Sequence, residues 1–215
     1  MKKIKNIIFL LIIISTSSFS ENNINTLFLY NNYQLENKIG YNVFKMAMKG
    51  YEKINDKNDR YFSIIDYSKP SYEKRMVVLN LKEKKLEYYT YVAHGKNSGA
   101  EKAIAFSNKL NSYKSSLGFY VTEKPYYGSF GYSLRLKGLE EGFNSNAKVR
   151  NIVFHGLEED GEKSIENYGF LCRTEGCPGI PKKISREVIE KIKNGTVIFI
   201  YGEDQMYLKN SEYIK

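Results

Sequence analysis

Tryptophan is absent from this 215-residue chain, and cysteine and histidine occur only twice each. Cys172 and Cys177 lie five positions apart and would close only a tiny loop, which argues against a disulfide-stapled scaffold. Together with His94 and His155 they match zinc ligands in type and number. The gap between the cysteines is at the upper edge of common zinc spacing, however, so no metal or cofactor is expected. The one long apolar run, Ile7 to Ile14, falls short of the roughly 20 residues that a membrane span needs. No cysteine follows that run, so nothing points to a lipid-anchored N-terminus. There is no internal repeat, no low-complexity tract, and no interleaving of arginine with aromatics of the kind nucleic-acid modules use, so no nucleic-acid partner is expected.

What is present begins with a leader pattern. Lys2, Lys3 and Lys5 precede the apolar run, and Ser18-Phe19-Ser20 offers small residues for cleavage, so residues 1–20 read as a secretory signal peptide. An uncleaved anchor is the alternative. Cleavage would leave no stable membrane span and an exported protein of the periplasm or cell envelope. It would also lower the formal charge from +9 to +6, a basic balance suited to polyanionic envelope polymers or anionic lipid head groups. Hydrophobic residues at 42% and charged residues at 27% give a globular composition with enough apolar mass for one sizeable core. The 19 tyrosines and 12 phenylalanines point to a β-rich core with half-buried rings. Oligomeric state is left open by the sequence.

The chain divides into four segments. After the leader, residues 21–60 read as an N-terminal arm and helix. Glu21 to Lys38 is polar and asparagine-rich, a linker or loosely held arm apart from the short apolar run Leu27 to Tyr30. Asn42 to Ile54 spaces Val43, Ala47 and Tyr51 four apart, with Phe44 and Met48 beside them, as an amphipathic helix does. Gly50 weakens that helix. From Tyr61 the period turns to two. Strands are expected over Tyr61–Asp66, Arg75–Leu81, Leu86–Ala93, Leu117–Thr122, Tyr132–Leu136, Asn151–His155 and Val197–Tyr201. One late helix, Arg186–Lys193, has Ser185 as its expected cap and Asn194-Gly195 as its stop. The reading is one mainly-β domain over 61–202 with a few peripheral helices, followed by a tail over 203–215.

Chemistry gathers at a few positions. His94 and His155 each end an expected strand and are each followed by glycine, where a scaffold presents groups to a ligand. Cys177 sits in Arg173-Thr174-Glu175-Gly176-Cys177-Pro178-Gly179; Gly176 lets the backbone turn sharply, and Pro178 stiffens the exit. A thiol attacks an amide only as thiolate, and an imidazole can take its proton and return it to the leaving amine. Arg173 would favour the thiolate if it lies close. The bland readings are a buried inert thiol for Cys177, a core histidine for His155, and the same for His94.

At these residues the sequence resembles the L,D-transpeptidase (YkuD-like) family, in its murein L,D-transpeptidase catalytic-domain branch. The family's His-Gly pair, followed some twenty residues on by Ser/Thr-x-Gly-Cys, reads here as His155-Gly156 and Thr174-Glu175-Gly176-Cys177. Stretches similar to Ala93-His94-Gly95-Lys96-Asn97-Ser98-Gly99, Ser115-Ser116-Leu117-Gly118-Phe119-Tyr120 and Gly131-Tyr132-Ser133-Leu134-Arg135-Leu136 belong to that branch, as do Gly138-Leu139-Glu140, Asn144-Ser145-Asn146-Ala147 and Arg173. Thr174 stands where serine is commoner, and Glu175 stands where many relatives carry histidine. Cys172 lies outside the motif.

The resemblance implies a YkuD-type β-rich fold and an acyl-enzyme on Cys177, formed from a peptidoglycan stem peptide at an L-centre with loss of a D-residue. An amine then completes a cross-link, or water gives L,D-carboxypeptidase activity. His155 is the implied base, and the amides of Gly176 and Cys177 the implied oxyanion hole. Thr174, Arg173, His94 and Gly156 are placed at the substrate, with Arg173 a candidate for a substrate carboxylate. The polar segment Gly156–Tyr168 is expected to loop out as a flap or a solvated loop. Two other readings stand beside this one. A thiol endopeptidase of the envelope usually places its cysteine before its histidine, the reverse of the order here. A non-catalytic basic wall-binding module would make Cys177 incidental. Pairing of Cys172 with Cys177 under oxidising conditions would silence the enzyme reversibly.

Overall fold

The computed structural model describes residues 25–158 and 161–215; the expected leader over residues 1–20 lies outside them. The strands are β1 Tyr61–Asp66, β2 Met76–Asn80, β3 Lys85–Thr90, β4 Gly118–Gly128, β5 Gly131–Gly138, β6 Val153–Gly156, β7 Gly179–Ile180 and β8 Val197–Tyr201. They form one eight-stranded sheet in the order β3-β2-β1-β8-β4-β5-β6-β7. The β1–β8 and β6–β7 pairs are parallel, and every other pair is antiparallel. Four helices are placed around the sheet: α1 Tyr41–Glu52, α2 Gly161–Tyr168, α3 Lys182–Ile192 and α4 Gln205–Asn210. Residues 25–32 are also helical. The fold is mainly β with a few helices, as the composition and periodicity lead one to expect.

The central strands are covered on both faces, which is why β1, β2 and β8 read as near-continuous apolar runs rather than as strict alternations. On β4, Phe119 packs against Gly50 of α1, while the Thr122 hydroxyl donates to the Ile192 carbonyl of α3. Three positions apart on one strand, these two side chains point to opposite faces. The sheet therefore lies between α1 and α3. The apolar stripe of α1 is Val43, Phe44, Ala47 and Tyr51, with the Tyr51 ring 4.5 Å from that of Phe62.

Four expectations about the connections are corrected. The loose arm over 21–38 is not loose in its described part: Tyr33 and Leu35, like Ile39 just beyond it, are buried in the main core, and burial of these side chains offsets the entropy of ordering the backbone. Ser185 does not cap the late helix. That helix starts at Lys182, with Pro181 in the N-cap position and no side-chain cap bond, and the Ser185 hydroxyl donates to the Lys182 carbonyl. The expected flap contains α2, held through Ile165 to a small cluster of Ala93, Leu157 and Leu171, and by the buried Ser164 hydroxyl donating to Phe170 O. The tail forms α4, which Asp204 caps; the buried Tyr207 hydroxyl donates to Glu140, a carboxylate that also accepts the Phe119 N–H and the Ser211 hydroxyl.

Gly50 lies in the last turn of α1 for a packing reason. A Cβ there would sit 2.1 Å from the Phe119 ring, which is itself held by stacking on Phe199 at 4.4 Å. Alanine would gain up to about 1 kcal/mol of helix propensity, but it would force apart a filled core. Gly50→Ala is therefore expected to destabilise the fold by about 1–3 kcal/mol, read as a drop of several degrees in Tm by calorimetry; an unchanged or higher Tm would contradict this packing.

Candidate active site

The sheet's edge builds the site. β6 pairs in parallel with the two-residue β7, with His155 opposite Gly179, so the turn that precedes β7 is carried to the side of β6. Cys177 is in that turn. Its Sγ accepts the Val153 N–H at 3.4 Å, and its S–H donates to the Asn151 carbonyl at 3.6 Å. Asn151 has φ +54, a left-handed conformation that asparagine tolerates and that turns the chain just before β6.

The turn is stapled by Thr174. Its hydroxyl donates to the Cys177 carbonyl at 2.6 Å and accepts the Gly176 N–H at 3.2 Å. Gly176 has φ +119, and a Cβ there would lie 2.8 Å from the Lys114 carbonyl. Glycine is therefore required twice over, for conformation and for space. Ser115 ties a third strand of chain to the same point: its hydroxyl donates to the Gly176 carbonyl at 3.3 Å and accepts the Gly95 N–H at 3.0 Å. The three segments cross so closely that a Cβ on Gly95 would lie 2.9 Å from Gly176 Cα. The backbone of 93–96 also pairs with the turn, through Ala93 N–H to Gly179 O and Lys96 N–H to Thr174 O, both at 2.7 Å.

His155 faces the same cavity. Its Nδ1 lies 2.9 Å from the Gly156 carbonyl. A carbonyl can only accept, so Nδ1 carries the proton and Nε2 bears the lone pair. Nε2 is buried and has no hydrogen-bond partner among the described residues. The imidazole stacks on Phe130, at the tip of the β4–β5 hairpin, with centroids 4.3 Å apart and planes at 18°. A cavity of about 700 Å³ brings Cys177, His155, Thr174, Arg173 and Cys172 together with Phe130, Tyr113, Arg150 and Asn151.

Electrostatics favour the neutral form of both Cys177 and His155. Burial pushes the Cys177 thiol up to about 11, with Glu175 adding to it and the Val153 N–H and Arg150 opposing. Burial likewise holds His155 below the ordinary imidazole value. The guanidinium that bears on the sulfur is thus Arg150 rather than Arg173, which lies exposed over the Phe170 ring. The two cysteines share the cavity as thiols without a disulfide.

Two residues expected at the substrate are placed elsewhere. His94 is fully buried and does not line the cavity. Its Nδ1 accepts from Arg75 at 2.8 Å, which leaves Nε2–H to donate to Gly99 O at 3.2 Å. Burial first and the Arg75 charge second hold it down at about 4. Gly156 is buried behind the imidazole, where a Cβ would meet Ser185 Oγ at 2.5 Å, and its carbonyl is taken by His155. Of the expected oxyanion donors, the Gly176 N–H is committed to Thr174, which leaves the Cys177 N–H as the amide this turn can offer. Sequence reasoning missed Arg150, Phe130 and Asn151; only their neighbours carried a signal. Among the described residues no group of three or more His, Cys, Asp or Glu is arranged to hold a metal, and no helix is long and apolar enough to cross a membrane.

Residues 35–201, most of the chain and all of the elements that build this site, match the L,D-transpeptidase catalytic domain family. The chain belongs to that family. Among solved structures, the L,D-transpeptidase from Mycobacterium smegmatis is similar at 9% identity and TM-score 0.41, covering 66% of this chain and 59% of that one. L,D-transpeptidase 3 from Mycobacterium tuberculosis is similar at 9% identity and TM-score 0.42, covering 66% and 61%. The LD transpeptidase LdtMt1, solved in complex with imipenem, is similar at 10% identity and TM-score 0.40, covering 66% and 59%. This L,D-transpeptidase-family chain spans about three fifths of the length of those solved relatives. No curated protein matches it.

The His94 linkage gives a pH prediction. Folded near 4 against an ordinary value of about 6.5, His94 binds fewer protons folded than unfolded across that window. Stability is therefore present above about pH 6.5 and is lost as pH falls toward 4, with His155 contributing in the same direction. His94→Gln, which can accept from Arg75 and donate to Gly99, is expected to flatten much of the slope of Tm against pH there. A slope identical to that of the unsubstituted protein would refute the assignment.

Proposed function

We propose that this chain is an exported cysteine L,D-transpeptidase that acts on peptidoglycan stem peptides through an acyl-enzyme on Cys177, with His155 as its base. The observation that carries the reading is the lone pair on His155 Nε2. It is buried and without a hydrogen-bond partner among the described residues, and His155 lines the same cavity as Cys177, the thiol that sits in a stapled turn.

Chemistry on this arrangement starts from two neutral groups. The Cys177 side chain turns from the Asn151 carbonyl toward His155, and Nε2 takes the thiol proton as sulfur attacks the carbonyl carbon of the L-centre. The Nδ1–H bond to Gly156 O stabilises the imidazolium that forms. The oxyanion is met by the Cys177 N–H. Collapse breaks the C–N bond, and the Nε2 proton passes to the departing D-residue amine, leaving a thioester. An acceptor amine then attacks the thioester, gives its proton to Nε2, and releases the sulfur to be protonated again; water in its place yields L,D-carboxypeptidase activity. Arg173, exposed at the rim, is suited to a substrate carboxylate.

The decisive measurement is intact mass after imipenem treatment. One covalent addition is expected, and none for Cys177→Ala. His155→Gln should slow the addition by roughly 10²–10⁴-fold. Because His155 must be unprotonated to act, the addition rate should rise with pH through a midpoint below about 6.5 and level off near neutrality. Peptidoglycan from cells with and without the protein should differ in its cross-links. No addition and unchanged cross-links would favour the non-catalytic wall-binding module instead.

A further inference from the structure

We propose that Arg150 is a positioning residue for the nucleophile: the 107–116 loop clamps its guanidinium beside the Cys177 turn, where its positive charge lets the sulfur carry negative charge once its proton leaves. This rests on the reading of Cys177 as nucleophile and adds a residue to it.

Four acceptors fix the guanidinium. Nη1 donates to Ser107 O at 2.6 Å and Ser116 Oγ at 2.5 Å, and Nη2 to Lys114 O at 2.6 Å and Ser112 Oγ at 3.1 Å. All four are neutral carbonyls or hydroxyls, so the clamp holds the group without neutralising it. The clamped end reaches the turn itself, since a Cβ on Gly176 would lie 3.3 Å from Nη2. The residue after Arg150 is Asn151, whose carbonyl accepts the thiol proton, so one short segment supplies both the resting partner of S–H and the charge beside the sulfur. Arg150 also lines the cavity.

The other charges around the sulfur do not take this role. Glu175 opposes a thiolate and is paired with Lys96 at 2.8 Å. Tyr67, fully buried, is held in its neutral form, its phenol raised to about 12. His155 is neutral until it accepts the proton, and Arg173 lies over Phe170. The influence runs both ways, as Cys177 is among the groups that act on Arg150. A clamped cation beside a buried sulfur is what a thiolate needs in a place that burial otherwise makes hostile to charge.

Alkylation of Cys177 by iodoacetamide across pH tests this without any transpeptidase assay, with each cysteine read by peptide mass, since trypsin cuts after Arg173 between them. Arg150→Gln, which keeps an amide donor but no charge, should move the alkylation curve to higher pH and slow the reaction at about pH 8 about tenfold for each unit moved. Arg150→Lys should restore most of the rate. Ser112→Ala, which removes one tether and keeps the charge, should leave the curve in place. Arg150→Met is the second neutral variant should Arg150→Gln not fold. The proposal is overturned by a neutral variant whose curve matches that of the unsubstituted protein, or by a shift from Ser112→Ala as large as that from Arg150→Gln. An unsubstituted protein that takes no imipenem addition sinks the nucleophile reading instead, and leaves the alkylation comparison intact.

Discussion

Loss of the bond from His155 Nδ1–H to the Gly156 carbonyl would remove the direction from every other feature of the site. That bond fixes which ring nitrogen holds the proton, and so which one can take another. It exists because β6 ends at Gly156, where the chain must pass so close to α3 that no side chain fits. The rest of the frame keeps the ring in that pose: Ser133 pairs opposite His155 on β5, the His155 N–H bonds to Pro178 O, and Phe130 stacks on one face. A ring held by backbone on one edge and by an aromatic plane on one face has little rotational freedom left. The Nε2 left without a partner among the described residues is the atom that the proposed mechanism uses for the thiol proton.

Neutrality at rest follows from burial rather than from the motif. A cysteine beside a histidine is often pictured as an ion pair, yet here the S–H points at a carbonyl and both groups are pushed toward their uncharged forms. Under the proposed function the thiol becomes nucleophilic only as its proton leaves, which would couple deprotonation to attack. For a site that also holds Cys172, a resting thiol has a further consequence. Thiol–disulfide exchange and oxidation both proceed through the thiolate, so a protonated Cys177 is the less oxidisable form.

Much of this was legible in the sequence, for reasons that differ by residue. Strands β1 and β8 stand at their expected bounds because β-branched and aromatic runs flanked by polar breaks have one way to be buried. That the Gly176-Cys177 turn and His155 come together at one edge of the sheet was legible because thiols and imidazoles are scarce in the chain, two of each, and their order is specific. What stayed hidden depends on partners distant in sequence. Arg150 reads as one surface cation among many until the 107–116 loop closes over it. Phe130 reads as a turn aromatic until the β4–β5 hairpin lays it on His155. The two-residue β7 is too short to leave a period at all, although it sets the register that places Cys177.

The two histidines show where local sequence stops being informative. Each ends an expected strand, each precedes glycine, and each sits in a segment that contacts the nucleophile turn. One partner separates them. Arg75, fully buried, donates to Val92 O and to His94 Nδ1, and its charge adds to burial in disfavouring a second cation on that ring. His94 is thereby fixed as a neutral strut whose carbonyl accepts the Thr174 N–H, so it supports the turn through its backbone and not through its ring. His155 has a carbonyl where His94 has a guanidinium. In the proposed mechanism the same imidazole accepts a proton in one place and is a spacer in the other, and the two rings differ in the group that meets Nδ1.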